Sequence, residues 1–337
     1  MVEFSVILPV RNGWPYVKEC VESVLSQSYP HLELTVLDNQ STDETVSWVE
    51  SLRDPRVRLA KSDRSLSISE SWARAKDVDK REFLTLIGHD DVFDRDFLAT
   101  VAALIEKHPR AALYQTGARL INSGGARIRA CEPVAEKETA ADYLTARFSS
   151  KRDVFGTGFV MRSADYERLG GIPAFEKLLF ADDALWLSLM EGSYKANDPR
   201  ELFSVRIHPK SESASMPSAW ISLLKGLNQF TEFLASYTKR NADVKDVVAN
   251  LAPSFLLNYH RNIYIFALVH ACQRNAKIDL ATVASIESSL AQHVPGLAPQ
   301  LHSSAKVRAI EVLNASPLRT GVPLLWNAYY RLKTRAA

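Results

Sequence analysis

Two pairs of adjacent carboxylates stand out in this chain, Asp90-Asp91 and Asp182-Asp183. Such a pair can hold a hard divalent cation, Mg2+ or Mn2+, which keeps several waters and binds substrate phosphates as well. A carboxylate fixed at a helix start can instead serve as a general base toward a hydroxyl within hydrogen-bond reach. The plain alternative for either pair is an N-cap favoured by the helix dipole. A third acidic turn, Asp38 followed by Ser41, Thr42 and Asp43, reads by itself as a capped strand-to-helix turn. His208, just after the apolar run Phe203 to Ile207, is either a ligand or a surface residue.

Chemistry needs these groups in one place, so the elements that carry them come next. Up to residue 115 the chain alternates β-branched runs with amphipathic helices, the pattern of βαβ units and a largely parallel sheet. Strands are expected at Phe4–Leu8, Leu32–Leu37, Val57–Ala60, Phe83–Ile87 and Ala112–Gln115. Val17, Cys20, Val21, Val24 and Leu25 fall on one helical stripe, as do Phe97, Leu98, Val101, Leu104 and Ile105. Further helices carry Val46, Val49 and Leu52, and Ile68 to Ala75. Ser41 with Glu44 three residues on predicts a capping box. Parallel sheets bind ligands outside the carboxyl ends of their strands, which selects the loops Pro9–Asn12, Asp38–Asp43 and Gly88–Asp91.

Residues 122–155 lose periodicity and read as a surface excursion. Regular structure returns at Gly156–Met161 and in a helix starting near Asp182. From Pro217 on the strand signal disappears, and an all-helical appendage is expected. The division is therefore 1–215 for an α/β domain and 216–337 for a helical region.

Composition removes several function classes. Forty-one basic and 39 acidic residues among 337 nearly cancel, which argues against a protein built mainly for nucleic acid. Three scattered cysteines supply neither a disulfide framework nor a zinc cage. No GxGxxG opens a helix after a strand, because Gly156-Thr157-Gly158 begins a strand-like run, so a dehydrogenase is not expected. The N-terminus lacks the pattern of a signal peptide, and Ile263–Cys272 is about half the ~20 apolar residues of a membrane span. A cytoplasmic protein is expected. The sequons at Asn39 and Asn314 are read as chance matches.

The order of the pieces carries more than any one of them. Ser5-Val6-Ile7-Leu8-Pro9-Val10-Arg11-Asn12, then Val21 to Tyr29, then Leu37-Asp38-Asn39-Gln40-Ser41-Thr42-Asp43-Glu44-Thr45 resembles the opening of family 2 glycosyltransferases. The resemblance continues through Ser71-Trp72-Ala73-Arg74-Ala75, Gly88-His89-Asp90-Asp91, Leu169-Gly170-Gly171, Asp182-Asp183-Ala184-Leu185-Trp186-Leu187 and Tyr194. It closes with Val205-Arg206-Ile207-His208-Pro209 and Ser211, covering about residues 3–215. It implies the GT-A fold, a Rossmann-like nucleotide-sugar-binding mixed sheet flanked by helices.

Carried over residue by residue, the resemblance implies that Pro9, Arg11, Asn12, Asp38 and Asn39 surround the nucleobase and ribose, with Asp90 also at the nucleotide. Asp91 would be the direct ligand to Mn2+ or Mg2+ on the donor diphosphate, with His208 a further ligand. Asp182 aligns with the general base. Four positions depart from the family pattern: Arg11 replaces a common Tyr, Asn39 a frequent Asp, Gly88 the first Asp of the acidic motif, and Ala181 the Glu before the base. The carbonyl of Asn39 could still accept the N3–H of uracil or thymine, so UDP- or dTDP-sugars are the expected donors. The loss of the Glu leaves Asp183 as the alternative base. The family's processive synthases carry Gln-x-x-Arg-Trp and membrane spans; neither is present, which implies single addition.

The expectation is a metal-dependent, inverting transferase that moves one sugar onto a glycan or lipid-linked acceptor in polysaccharide or glycoconjugate biosynthesis. The competing reading is a non-catalytic relative that binds a nucleotide sugar or a partner enzyme. The last segment, Pro317 to Arg335, mixes Leu318, Leu324, Leu325, Trp326, Tyr329 and Tyr330 with Arg319, Arg331, Lys333 and Arg335 and has no acidic residue. A packed helix or a homodimer contact is the favoured account of it. Peripheral contact with anionic lipid at the inner face of the membrane is the other.

Overall fold

The computed structural model describes residues 1–208, 218–326 and 328. Contacts divide the chain into two compact units. The first comprises Met1–Tyr143, Ser150–Ala174 and Phe180–Ile207; the second comprises Leu144–Ser149, Phe175–Leu179 and His208 onward. The boundary expected between 215 and 216 lies outside the described residues, as do Pro209 and Ser211.

The first unit is built on a mixed ten-stranded sheet. Its strands are β1 Phe4–Val10, β2 Leu32–Asp38, β3 Val57–Lys61, β4 Phe83–Leu86, β5 Val92–Phe93, β6 Leu113–Ile121, β7 Arg127–Ala130, β8 Lys137–Glu138, β9 Phe159–Arg162 and β10 Lys195–Arg206. They run in the order β3-β2-β1-β4-β9-β6-β10-β5, with β7 on β6 and β8 on β10. The β3-β2-β1-β4 block is parallel, and β9 lies antiparallel between β4 and β6. Chain order reverses between β1 and β4, the place where open α/β sheets take ligands. β1 is buried along its whole length, so it reads as a continuous apolar run rather than an alternating one.

The helices of this unit cover the sheet as their stripes predict. Val17, Cys20, Val21 and Val24 of α1 (Tyr16–Leu25) are buried, while Leu25 is only partly so. α2 is Thr45–Ser51, α3 Ile68–Ala73, and α4 Phe97–Lys107. Phe93 stacks on Phe97 at 4.0 Å, joining α4 to the core.

Two expectations need correction. The capping box belongs to α3, where Ser67 and Glu70 cap each other, and not to Ser41 and Glu44. Residues 122–155 lie at the surface up to Lys137 as expected, but they are more regular than expected: they contain β7, β8 and α5 (Ala140–Phe148). β7 folds back on the neighbouring β6 as a hairpin, and β8 pairs with β10, about 60 residues on; both strands are too short to show a period. The next helices are α6 (Ser163–Arg168) and α7 (Ala181–Leu189), the latter starting where the Asp182 stripe predicts.

The second unit is helical among its described residues. It contains α8 (Trp220–Arg240), α9 (Lys245–Gln273), α10 (Leu280–His293) and α11 (Ala305–Ala315). A buried polar chain threads it: His260 Nε2 lies 3.0 Å from Ser289 Oγ, which lies 2.6 Å from Asn228 Oδ1. Burial pushes the His260 imidazolium down to about 4, so a neutral ring joins α9 to α10. No helix of the described residues is long and apolar enough to cross a membrane.

Candidate active site

Three loops leave the carboxyl ends of β1, β2 and β4, and hydrogen bonds sew the first two together. The Asn12 N–H donates to Ser41 Oγ at 2.8 Å, Gly13 N–H to Thr45 Oγ1 at 3.0 Å, and Trp14 N–H to Asp43 Oδ2 at 2.9 Å. In return Asn12 Oδ1 accepts from Thr42 N–H at 2.8 Å. Ser41 thus serves the contact between the loops, and it lies too far ahead of α2, which begins at Thr45 with Glu44 at its N-cap position, to cap that helix. Pro9, Asp38 and Asn39 are buried, whereas Arg11 and Asn12 are exposed at the rim. The Asp38 carboxylate accepts from Ser41 N–H, and its carbonyl accepts from Arg74 Nη1 at 2.8 Å. Asn39 does not present an idle amide: its Oδ1 accepts from Leu66 N–H at 2.8 Å and its Nδ2 donates to Leu66 O at 3.0 Å.

The third loop carries the acidic pair. A Cβ on Gly88 would lie 2.9 Å from Asp90 Oδ1 and 3.0 Å from Asp91 Oδ2, so oxygens of both carboxylates converge on the bare Cα. The oxygens of the two remaining acids thus close in on the position where the motif's first acid is missing. Asp91 is buried, with Oδ2 accepting from Thr157 Oγ1 at 2.8 Å and Oδ1 from the Arg206 N–H at 3.1 Å. Burial first, and the neighbouring Asp90 second, raise its carboxyl well above the usual carboxylate range. A cation placed there would relieve both terms. Among the described residues no group of three or more His, Cys, Asp or Glu forms a metal cage. Two carboxylates suffice for a cation that takes its remaining ligands from a diphosphate and water, and these two fit it.

Arg206, at the end of β10, braces this loop. Its Nε donates to Asp90 O at 2.8 Å, its Nη2 pairs with Glu19 Oε2 at 2.6 Å, and its guanidinium lies over the Tyr16 ring at 4.8 Å. From α1, the Cys20 thiol donates to Gly88 O at 3.3 Å. Sequence reasoning assigned no role to Arg206, Cys20 or Thr157. Only Arg206 had a signal, its place in the run Val205 to Pro209. His208 is buried two residues beyond Arg206 and is grouped with the second unit.

The second acidic pair separates by the turn of one helix. Phe180, buried with φ 62°, enters α7 in the left-handed region, an uncommon backbone for a bulky residue. Asp183 is 1% exposed, and its Oδ1 accepts from Tyr143 Oη at 2.7 Å. Asp182 faces the loop before β9, where a Cβ on Gly156 would lie 3.2 Å from Asp182 Oδ2. Gly156 therefore keeps open the space beside the less buried carboxylate.

Behind Tyr143 lies a buried ionic cluster. The Arg152 guanidinium sits 4.1 Å over its ring and 2.7 Å from Glu138 Oε1; Lys195 Nζ is 2.8 Å from Glu138 Oε2 and 2.6 Å from Gln115 Oε1. Burial pulls the Lys195 ammonium down to about 8 against the opposing pull of Glu138.

Residues 5–170 match the model of glycosyl transferase family 2. Over 148 residues the chain is 30% identical to the poly(ribitol-phosphate) beta-N-acetylglucosaminyltransferase TarS of Staphylococcus aureus strain Mu50, covering 42% of this chain and 24% of that one. It likewise spans only 26% and 35% of the lengths of two other relatives. S. aureus TarS 1–349 in complex with UDP-GlcNAc superposes with a TM-score of 0.53 at 16% identity, covering 97% of this chain and 92% of that one. The mannosyltransferase PcManGT of Pyrobaculum calidifontis, in complex with GDP-Man and Mn2+, gives 0.53 at 17%, covering 96% and 87%. At those identities the likeness to the two structures is one of fold.

Proposed function

This chain belongs to glycosyltransferase family 2, and from that premise we propose that it transfers a single sugar, with inversion, from a nucleotide-diphosphate donor to a hydroxyl of a glycan or lipid-linked acceptor. The observation that carries the reading is the convergence of Asp90 and Asp91 before Gly88 at the carboxyl end of β4. Asp91 and Asp90 would hold Mn2+ or Mg2+ there. The bound cation would neutralise the departing diphosphate.

The chain's own residues do the rest. The loops at Pro9–Asn12 and Asp38–Asn39 bound the nucleoside pocket. Asp182 takes the proton of the acceptor hydroxyl as its oxygen bonds to the anomeric carbon and the bond to the diphosphate breaks. Asp183, committed to Tyr143, is poorly placed for that proton. TarS with UDP-GlcNAc and the archaeal enzyme with GDP-Man leave both uridine and guanosine donors to be tried, with UDP- or dTDP-sugars first.

We place the reaction in the cytoplasm, where a lipid-linked acceptor would bring the protein to the inner face of the membrane. Val322 and Trp326 pack inward, the latter 5.7 Å from Phe266, whereas Leu318, Leu324 and Leu325 are exposed beside an acid-free tail. That arrangement supports a peripheral contact; Tyr329, Tyr330, Arg331, Lys333 and Arg335 lie outside the described residues. A second copy of the chain is the other occupant of such a surface.

The test is release of nucleoside diphosphate from UDP-GlcNAc, other UDP- and dTDP-sugars and GDP-Man with added Mn2+, with and without a glycan acceptor. Turnover abolished by chelator supports the reading. Binding of donor with no release under any condition would instead support the non-catalytic relative.

A further inference from the structure

The segment after β3 is held over the carboxyl end of β2 by one main-chain bond and then by side chains. The last register pair of β2 and β3 is Asp38 with Lys61, and beyond it Ser62 N–H donates to Asp38 O at 2.9 Å. Gln40 Nε2 then donates to Asp63 O at 2.9 Å. Asn39 completes the set by engaging both the N–H and the C=O of Leu66. Its own N–H donates to Val10 O at 2.9 Å, which ties the residue to the end of β1. The amide extends the sheet by one side chain, making toward Leu66 the two bonds a neighbouring strand would make.

These two bonds fix the chemistry that position 39 requires. One partner is a donor and the other an acceptor, so the side chain must present both a carbonyl and an N–H in one plane. An amide does so. A carboxylate would face the Leu66 carbonyl with a second oxygen, replacing an attractive contact by a repulsive one and leaving a half-buried acceptor without its donor. The residue is 4% exposed, with little surface left for a ligand.

We infer that Asn39 is a positioning residue for the nucleotide pocket, clamping segment 62–66 over it, and not the group that reads the base edge. The inference rests on the proposed nucleotide-sugar reading and deepens it. Base selectivity then falls to the main chain and side chains of 62–66, a stretch whose shape Asn39 sets. The family's frequent Asp at this position is replaced because this chain needs a donor toward Leu66 O.

Titration of the full chain with UDP, dTDP, GDP and ADP in Mn2+ tests this, using Asn39→Asp and Asn39→Ala beside the unaltered protein. Each variant should lose about tenfold in affinity for every diphosphate that binds, with the ranking of bases unchanged. Hydrogen exchange without nucleotide should rise in the peptide spanning 61–67, while β1 and α1 stay protected. Should Asn39→Ala fail to fold, the isosteric Asn39→Asp carries the test. A changed ranking in Asn39→Asp would make Asn39 the base reader and overturn the clamp, as would unchanged affinity in both variants. An unaltered protein that binds none of the four would instead remove the nucleotide-sugar reading, and the clamp's purpose with it.

Discussion

Tyr143 donates its hydroxyl to Asp183 at 2.7 Å, and this bond separates two neighbouring carboxylates into different tasks. Asp183 is drawn into the interior against a phenol backed by Arg152, while Asp182 is left beside Gly156. Asp182→Asn should keep donor binding and lower turnover about 10²–10⁴-fold, the range for removal of a general base. Asp183→Asn should instead lower the melting temperature, with a loss of about 1–3 kcal/mol from a disturbed buried hydrogen bond. Kinetics and thermal melts on the two variants decide between them; the reverse pattern would make Asp183 the base.

Gly88 offers a test of the metal site that leaves both acids in place. Gly88→Ala puts a methyl group 2.9 Å from Asp90 Oδ1 and 3.0 Å from Asp91 Oδ2, closer than unstrained contact permits. Donor affinity in Mn2+ should fall in that variant and collapse in Asp91→Asn, because a neutral amide is a poor ligand for a hard cation. Titration with and without chelator measures it. Unchanged Mn2+-dependent binding in Asp91→Asn would remove the assigned ligand.

The buried cluster around Glu138 should respond asymmetrically to substitution. Glu138→Gln leaves Arg152 and Lys195 buried without their shared anion and should cost about 3–5 kcal/mol. Lys195→Met keeps the Arg152–Glu138 pair but removes the donor to Glu138 Oε2 and to the buried Gln115 Oε1, and should cost less, about 1–3 kcal/mol. Denaturant melts of both variants test the difference. Equal losses would mean that Lys195 is needed for more than charge balance.

In the second unit His302 lies between two carboxylates, 2.5 Å from Glu311 Oε1 and 2.9 Å from Glu287 Oε1, with Tyr264 Oη also on Glu311. Burial pulls its imidazolium down, but the bonds to Glu311 and Glu287 outweigh that and raise it above its ordinary value. A raised folded value means stabilisation fully present below about pH 6.5 and lost as pH climbs through that raised value. The groups are partly exposed, so the effect should stay below about 1 kcal/mol. Melts between pH 5.5 and 8.5, taken here as roughly the span around an ordinary imidazole, should decline upward and flatten in His302→Gln.

The sequence by itself determined the strands of the parallel block, the inward stripes of α1 and α4, and the acidic loop at the end of β4. Each rests on spacing within a dozen or so residues, the range over which a strand or helix period shows. It also carried the family resemblance, through the order of its short motifs. Tertiary structure alone decided the remainder. Ser41-Thr42-Asp43-Glu44 and Ser67-Ile68-Ser69-Glu70 share the same capping pattern, yet only Ser67 caps, because the loop contacts of residues 41–43 delay the start of α2 to Thr45. Asp182 and Asp183 are adjacent and of one type, but neighbours on a helix point about 100° apart, so packing against Tyr143 chooses which one is buried. Asp91 meets Arg206 across 115 positions because β5, which follows it, lies antiparallel to β10, and no local period encodes that pairing. Asn39 looked like a base reader by its place in the motif; the backbone of Leu66, 27 residues on, makes it a clamp in our reading, since the buried Asn39 amide must find its donor and acceptor in whatever backbone the fold brings beside it.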